Sequence, residues 1–195
     1  MPGRFYLTDT IAGYDGPARL NIAPGEDVLA LTSDGPMQMR WGMIPSGRVN
    51  ARGRPVMETI INVRSETVFS KSAFDGLRRA VVPASGWYEW TGPERRKQPW
   101  RIRRADGGLI YFAAVYDVWH APGGRSLPQV ATVTCAPSAD VRDIHHRMGV
   151  ILEKAQIPKW FESVSTVAQD LLQPYPDGSL IVEKADDVDW AAAAT

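Results

Sequence analysis

Between its glycines and prolines the chain carries short runs in which apolar residues alternate with polar ones or gather as β-branched and aromatic stretches, and no long helical period. That pattern predicts strands over Val28 to Thr32, Met37 to Trp41, Ala80 to Val82, Trp87 to Trp90, Trp100 to Arg103, Leu109 to Val115 and Val130 to Thr134. Ala105-Asp106-Gly107-Gly108 reads as a hairpin turn between two of them. Helices are fewer: one opened by Ser65-Glu66-Thr67 and running through Leu77, a short one over Ser138 to Asp143, and a pair over Lys154 to Glu162 and Val164 to Leu172. Gly47 to Val56, with Arg48, Arg52 and Arg54, reads as a basic loop, and the alanine-rich end after Trp190 as frayed chain. The expected architecture is a single α+β domain over residues 1–195, a mostly antiparallel or mixed curved sheet flanked by short helices.

Composition narrows the classes. With 44% hydrophobic residues in 195, the chain can build a sizeable core. Lys and Arg number 22 against 22 Asp and Glu, so no global positive field marks a nucleic-acid binder, and any such contact must come from a local patch. The single cysteine, Cys135, rules out an internal disulfide framework and a cysteine-built zinc site, which points to a reducing compartment, the cytoplasm. No stretch approaches the roughly 18 apolar residues of a membrane span, so no membrane partner is expected. No cofactor and no metal are expected, and His145-His146, adjacent in sequence, cannot both face one metal from a regular element.

Three polar residues stand where a packed domain favours none. Asn62 lies within Ile60-Ile61-Asn62-Val63, Glu89 between Trp87-Tyr88 and Trp90, and His145 just ahead of Val150-Ile151-Leu152. A carboxylate held among aromatics is desolvated, which raises its pKa and suits it to proton transfer near neutrality. On spacing alone, strand alternation points Glu89 outward, because Tyr88 and Trp90 share the other face. Asn62 reads equally as a turn or capping residue, and His145 as a satisfied core histidine. Arg4, Arg40 and Arg64 neighbour apolar residues and could clamp phosphates, although an arginine bordering a strand is more often solvated or ion-paired.

Taken in order, Gly3-Arg4-Phe5, Asn21-Ile22-Ala23-Pro24, Arg40-Trp41-Gly42-Met43-Ile44-Pro45, Ile61-Asn62-Val63-Arg64-Ser65-Glu66-Thr67, the run from Val82 to Trp90, and Asp143-Ile144-His145-His146-Arg147-Met148 resemble the motifs of the SRAP family. These are the SOS-response-associated peptidases, also described as abasic-site processing proteins. The resemblance covers about residues 1–185 and leaves 186–195 as a tail. It settles the echo between Asn50 and Asn62, since the family's asparagine precedes Arg-x-Glu-Thr and only Asn62 does so here. It implies a partner, single-stranded DNA containing abasic sites, bound by a monomer. In the family, an N-terminal cysteine exposed by loss of the initiator methionine closes a thiazolidine on the sugar aldehyde. By the same resemblance Asn62 would orient the reacting terminus, Glu89 would shuttle protons, and His145 would assist sugar opening or crosslink resolution. Arg4 and Arg64 would hold flanking phosphates, Thr134 would line the pocket, and Pro24 and Trp90 would wedge against bases.

Position 2 departs from that pattern. Pro2 carries no thiol, so no thiazolidine can close, and Cys135, beside Thr134 in a strand expected to be buried, is no substitute. Two outcomes follow from the chemistry. The chain binds abasic single-stranded DNA without a covalent bond, or methionine is cleaved before Pro2 and the secondary amine so exposed forms an iminium with the aldehyde and promotes β-elimination as a lyase. Peptidase activity is expected at most as self-processing at the N-terminus, because no nucleophile, base and oxyanion hole stand together in the sequence. A second departure, Ser46-Gly47-Arg48 where the family often has a tryptophan, shifts binding toward phosphate contacts by Arg48, Arg52 and Arg54 and a steeper salt dependence.

Overall fold

The β-branched and aromatic runs fold as strands, and the glycine- and proline-marked breaks as the turns between them. A computed structural model describes residues 3–44, 51–53, 58–93, 96–120 and 123–190. Pro2, Arg48, Arg54 and 191–195 lie outside the described residues, as does most of the expected basic loop, of which Arg52 is seen in an exposed turn. The strands are β1 (Arg4–Leu7), β2 (Arg19–Ile22), β3 (Asp27–Thr32), β4 (Gly35–Trp41), β5 (Asn62–Arg64), β6 (Arg78–Ala84), β7 (Gly86–Thr91), β8 (Gln98–Arg104), β9 (Ile110–His120), β10 (Ser126–Cys135), β11 (Met148–Gly149) and β12 (Leu180–Lys184). All seven expected strands are present. The fold is α+β and mostly antiparallel; only β10 runs parallel to partners, β4 and β5.

Pairing sorts the strands into two layers. One sheet has the order β12-β8-β7-β1-β2. In the other, β3, β4, β10, β9 and β6 pair in turn, and β6 pairs back to β3, so the sheet closes on itself as a five-stranded barrel. The inner face of the open sheet lies on the barrel: Phe5 meets Trp41 edge-on at 4.9 Å and Trp87 meets Phe112 at 5.7 Å between ring centroids. The chain crosses from barrel to sheet at Ser85, between β6 and β7. There the Ser85 N–H donates to Tyr6 O, and its hydroxyl accepts from the N–H groups of Thr8 (2.9 Å) and Asp9 (3.2 Å). Gly86 is required at this corner, since a Cβ would lie 2.5 Å from both the Ile102 carbonyl oxygen and the Tyr6 hydroxyl.

Three expectations need correction. Residues 105–108 do not close a hairpin: β8 pairs with β7 and β12, whereas β9 pairs with β6 and β10, so this turn carries the chain from sheet to barrel. Its local chemistry is turn-like either way, with Asp106 accepting from Gly108 N–H and from Arg104, and a local motif does not choose the strand's partner. No regular helix spans residues 65–77. They form turns with one 3-10 turn at Ser72–Phe74, because Val68 and Phe69 are drawn onto the core, Phe69 at 6.1 Å from Trp160. Residues 138–143 likewise form successive turns rather than a helix. The C-terminal pair is present but shorter, as α1 (Ile157–Glu162) after a 3-10 turn and α2 (Ser165–Gln169). Residues 186–190, ahead of the alanine-rich end, are docked on the open sheet. Asp187 pairs with Arg101 at 2.9 Å, Gln98 donates to Asp186, and Trp190 packs edge-on against Tyr88 and Trp90.

Candidate functional site

Strand β7 carries Glu89, and both faces of that strand are covered. Tyr88 and Trp90 point away from the barrel, under Ala185, Val188 and Trp190. Trp87 and Glu89 share the opposite, barrel-facing side, where Glu89 is only 3% exposed. The outward reading of Glu89 therefore fails: alternation assigns residues to faces, and here neither face is open water. Burial pushes the Glu89 carboxyl up to about 7, with the Trp87 indole acting in the opposite, lowering sense. A carboxyl poised there can both give and take a proton near neutrality. Strand β1 runs antiparallel beside it with Arg4 opposite Tyr88 and Phe5 opposite Trp87, so the chain leads upstream from Arg4 toward Glu89.

A second group forms around the C-terminal end of β10. Its parallel partner β5 brings Asn62 opposite Thr132 and Arg64 opposite Thr134, with the Thr132 hydroxyl donating to Asn62 Oδ1. Asn62 is half-buried and Arg64 exposed on the same face of β5. β11 pairs with the other edge of β10 at Thr134 and Cys135, and His145 lies in the turn just before it. The Arg147 N–H donates to His145 Nδ1 at 3.0 Å, and burial lowers His145 to about 4, so the ring is neutral near pH 7. The Arg147 guanidinium makes a two-point ion pair with Glu66 and also donates to the Thr134 carbonyl. Glu66 is accordingly held down at about 2. The two groups are linked through the core, because Trp41, against which Phe5 packs, donates its indole N–H to Ile61 O at 3.1 Å, next to Asn62.

The other sequence candidates sit elsewhere or deeper. Arg4 and Trp90 leave the open sheet on the face opposite Glu89. Arg4 donates to Asn21 Oδ1 at 2.7 Å, Asn21 in turn donates to Asp189 O, and Trp90 is covered by Trp190. Pro24 is exposed at the tip of a turn whose next residue, Gly25, has φ +95, the arrangement of a proline–glycine type II turn. Thr134 is 0% exposed, which corrects its expected place on the pocket wall; its hydroxyl donates to Val63 O and so fixes β5 against β10. Cys135 is buried and its thiol pushed up to about 12, as expected of a small hydrophobe rather than a nucleophile. Among the described residues no group of three or more His, Cys, Asp or Glu could hold a metal, and no helix is long and apolar enough to cross a membrane.

Sequence reasoning missed Arg147 and Glu66 as parts of this site. Both stand inside quoted motifs, but their pairing spans 81 positions and no local pattern announces it. Comparison with known proteins follows the same outline. A family model described as SOS response associated peptidase (SRAP) matches residues 5–188. The chain is 33% identical over 166 residues to a Bacillus subtilis protein named abasic site processing protein YobE, covering 80% of this chain and 74% of that one. It is 32% identical over 149 residues to the Escherichia coli abasic site processing protein YedK, covering 73% and 64%, and 31% identical over 165 residues to the chicken abasic site processing protein HMCES, covering 70% and 48%. Among solved structures, a Bordetella bronchiseptica protein superposes with a TM-score of 0.74 at 25% identity over 89% of this chain and 90% of its own. One from Bacteroides thetaiotaomicron, at 22% identity, gives 0.77 over 86% and 78% and attests the fold alone.

Proposed function

From the premise that the chain belongs to the SOS response associated peptidase family, we propose that it recognises abasic sites in single-stranded DNA and binds them without forming a thiazolidine. The observation that carries this reading is the pairing of a family match over 5–188 with proline at position 2 and a single, buried cysteine at 135. An abasic nucleotide offers no base edge, so recognition rests on backbone charge, stacking and the sugar itself. Arg64, exposed beside Asn62, is assigned to a phosphate, and Pro24, at its turn tip, to a neighbouring base. Asn62 orients the sugar or the chain terminus, and His145, neutral, offers a hydrogen bond to a sugar oxygen. Arg4 and Trp90 contribute from the outer face of the same sheet. Thr134 acts from beneath the surface, by holding β5. The partner is met in the cytoplasm by a monomer.

Glu89 favours a second reading, a lyase. Once Met1 is removed, the secondary amine of Pro2 condenses with the sugar aldehyde, releasing water and forming an iminium. A base removes the proton on the adjacent carbon, the 3′ phosphate departs, and water returns to free the amine. Glu89, raised to about 7, suits the base better than His145, whose conjugate acid at about 4 makes it a weak one. Peptidase activity, if present, is confined to self-processing at residue 1.

One experiment separates these readings: an oligonucleotide with one abasic site, beside an intact control, incubated with the protein with and without borohydride and run on a denaturing gel, with affinity measured in parallel. Preferential binding with no adduct supports the first reading. A borohydride-trapped adduct with strand cleavage replaces it with the lyase. Equal affinity for both oligonucleotides sinks the abasic assignment. The salt dependence of binding, expected to flatten when Arg48, Arg52 and Arg54 are replaced, tests the loop's part.

A further inference from the structure

His145 is held by the backbone of a residue that is itself held by an ion pair, and neither partner of that pair has a part in the function proposed above. Arg147 N lies 3.0 Å from His145 Nδ1, and its N–H, which can only donate, is served by a lone pair on Nδ1, the arrangement of the neutral ring that carries its proton on Nε2. The Arg147 carbonyl lies 3.1 Å from the same nitrogen and serves the other tautomer, with the proton on Nδ1, so the placement of this one peptide group decides between the two. That peptide is fixed by its own side chain. The Arg147 guanidinium, with a side chain 12% exposed, bridges two Glu66 oxygens from the loop after β5 and the Thr134 carbonyl in β10. The planar fork of arginine fits a two-point bond to a carboxylate, which a lysine point charge does not reproduce. His146 stacks on His145 at 4.3 Å and covers one face of the ring.

We propose that Glu66 and Arg147 are positioning residues for His145: the ion pair holds the Arg147 peptide so that Nδ1 stays an acceptor and Nε2–H is the group presented to the abasic sugar. This rests on the reading of His145 as a sugar-contacting residue. It goes beyond that reading in assigning the tautomer and naming the pair that sets it. Glu66, whose two carboxylate oxygens both accept from the Arg147 guanidinium, acts through Arg147.

The test combines a spectroscopic and a functional readout on the full chain. Long-range proton–nitrogen NMR at neutral pH, with the His145 signals assigned by their absence in His145→Gln, is expected to show the Nε2–H tautomer. In Glu66→Gln the signals should move toward a tautomer mixture, while the circular dichroism spectrum stays native. The affinity preference for abasic over intact oligonucleotide should fall about tenfold in Glu66→Gln, the order of one lost hydrogen bond. It should fall no further in the Glu66→Gln, His145→Gln double variant, because the two act as one unit. Glu66→Asp, which keeps the charge, should recover part of the preference, and Arg147→Lys should not. An unchanged His145 tautomer in both Glu66→Gln and Arg147→Lys overturns the proposal, as does an additive double variant. If His145→Gln alone leaves the preference intact, the sugar-contact reading fails instead, while the NMR arm still decides whether the ion pair sets the tautomer.

Discussion

Replacing Glu89 by glutamine removes a titration from the middle of the fold, and the consequence for stability has a calculable size and sign. The native carboxyl rises from 4.5 to about 7 because burial penalises its charge. Between those values the folded protein binds more protons than the unfolded chain, so stability falls as pH rises. The effect is complete below about 4.5, where the group is neutral in both states, and fully lost above about 7. A displacement of that size corresponds to about 3 kcal/mol, and the burial of Glu89 at 3% exposure means little of it is screened by solvent. Glutamine keeps the shape and stays neutral, so the Glu89→Gln variant should gain on the wild type by about 3 kcal/mol between pH 4.5 and 8. In paired urea titrations that is a relative midpoint shift of roughly 1 to 2 M. Taking the difference between the two proteins cancels every other titrating group they share. Two parallel midpoint curves over that range would refute the desolvated carboxyl, and with it the case for Glu89 as a proton carrier.

His145 should show the opposite slope. Its depressed pKa means that its contribution is fully present above about 6.5 and is lost as pH falls through about 4, so wild type should lose ground to His145→Gln in acid; a flat difference refutes its burial as a neutral ring. Gly86→Ala should cost about 1–3 kcal/mol, because its Cβ meets a backbone oxygen that cannot move aside; an unchanged urea midpoint would show that the corner can relax. The Cys135 thiol, buried and pushed up to about 12, should resist an aromatic disulfide reagent in the native protein and react once urea unfolds it. Fast native labelling would mean that the β10 end opens.

Local pattern determined much of this molecule. Strands β3, β4 and β6 to β10 show in the sequence because β-branched and aromatic runs between glycine and proline breaks have few other stable conformations, and the ordered motifs carried the family. Proline at position 2 carries no thiol whatever the fold, because that limit is covalent. What each strand pairs with was not legible. The turn at 105–108 looks like a hairpin and instead passes between layers, since partner choice depends on which edge the rest of the chain leaves open. Glu89 looked outward because alternation knows two faces but not what covers them, and only the C-terminal residues docked on Tyr88 and Trp90 make both faces interior. The Glu66–Arg147 pair and the hold on His145 join segments 81 positions apart, and Thr134 proved a support rather than a wall. Chemistry borne by single residues is written in the sequence; desolvation, tautomer and the sharing of a face are properties of neighbours that only the folded chain supplies.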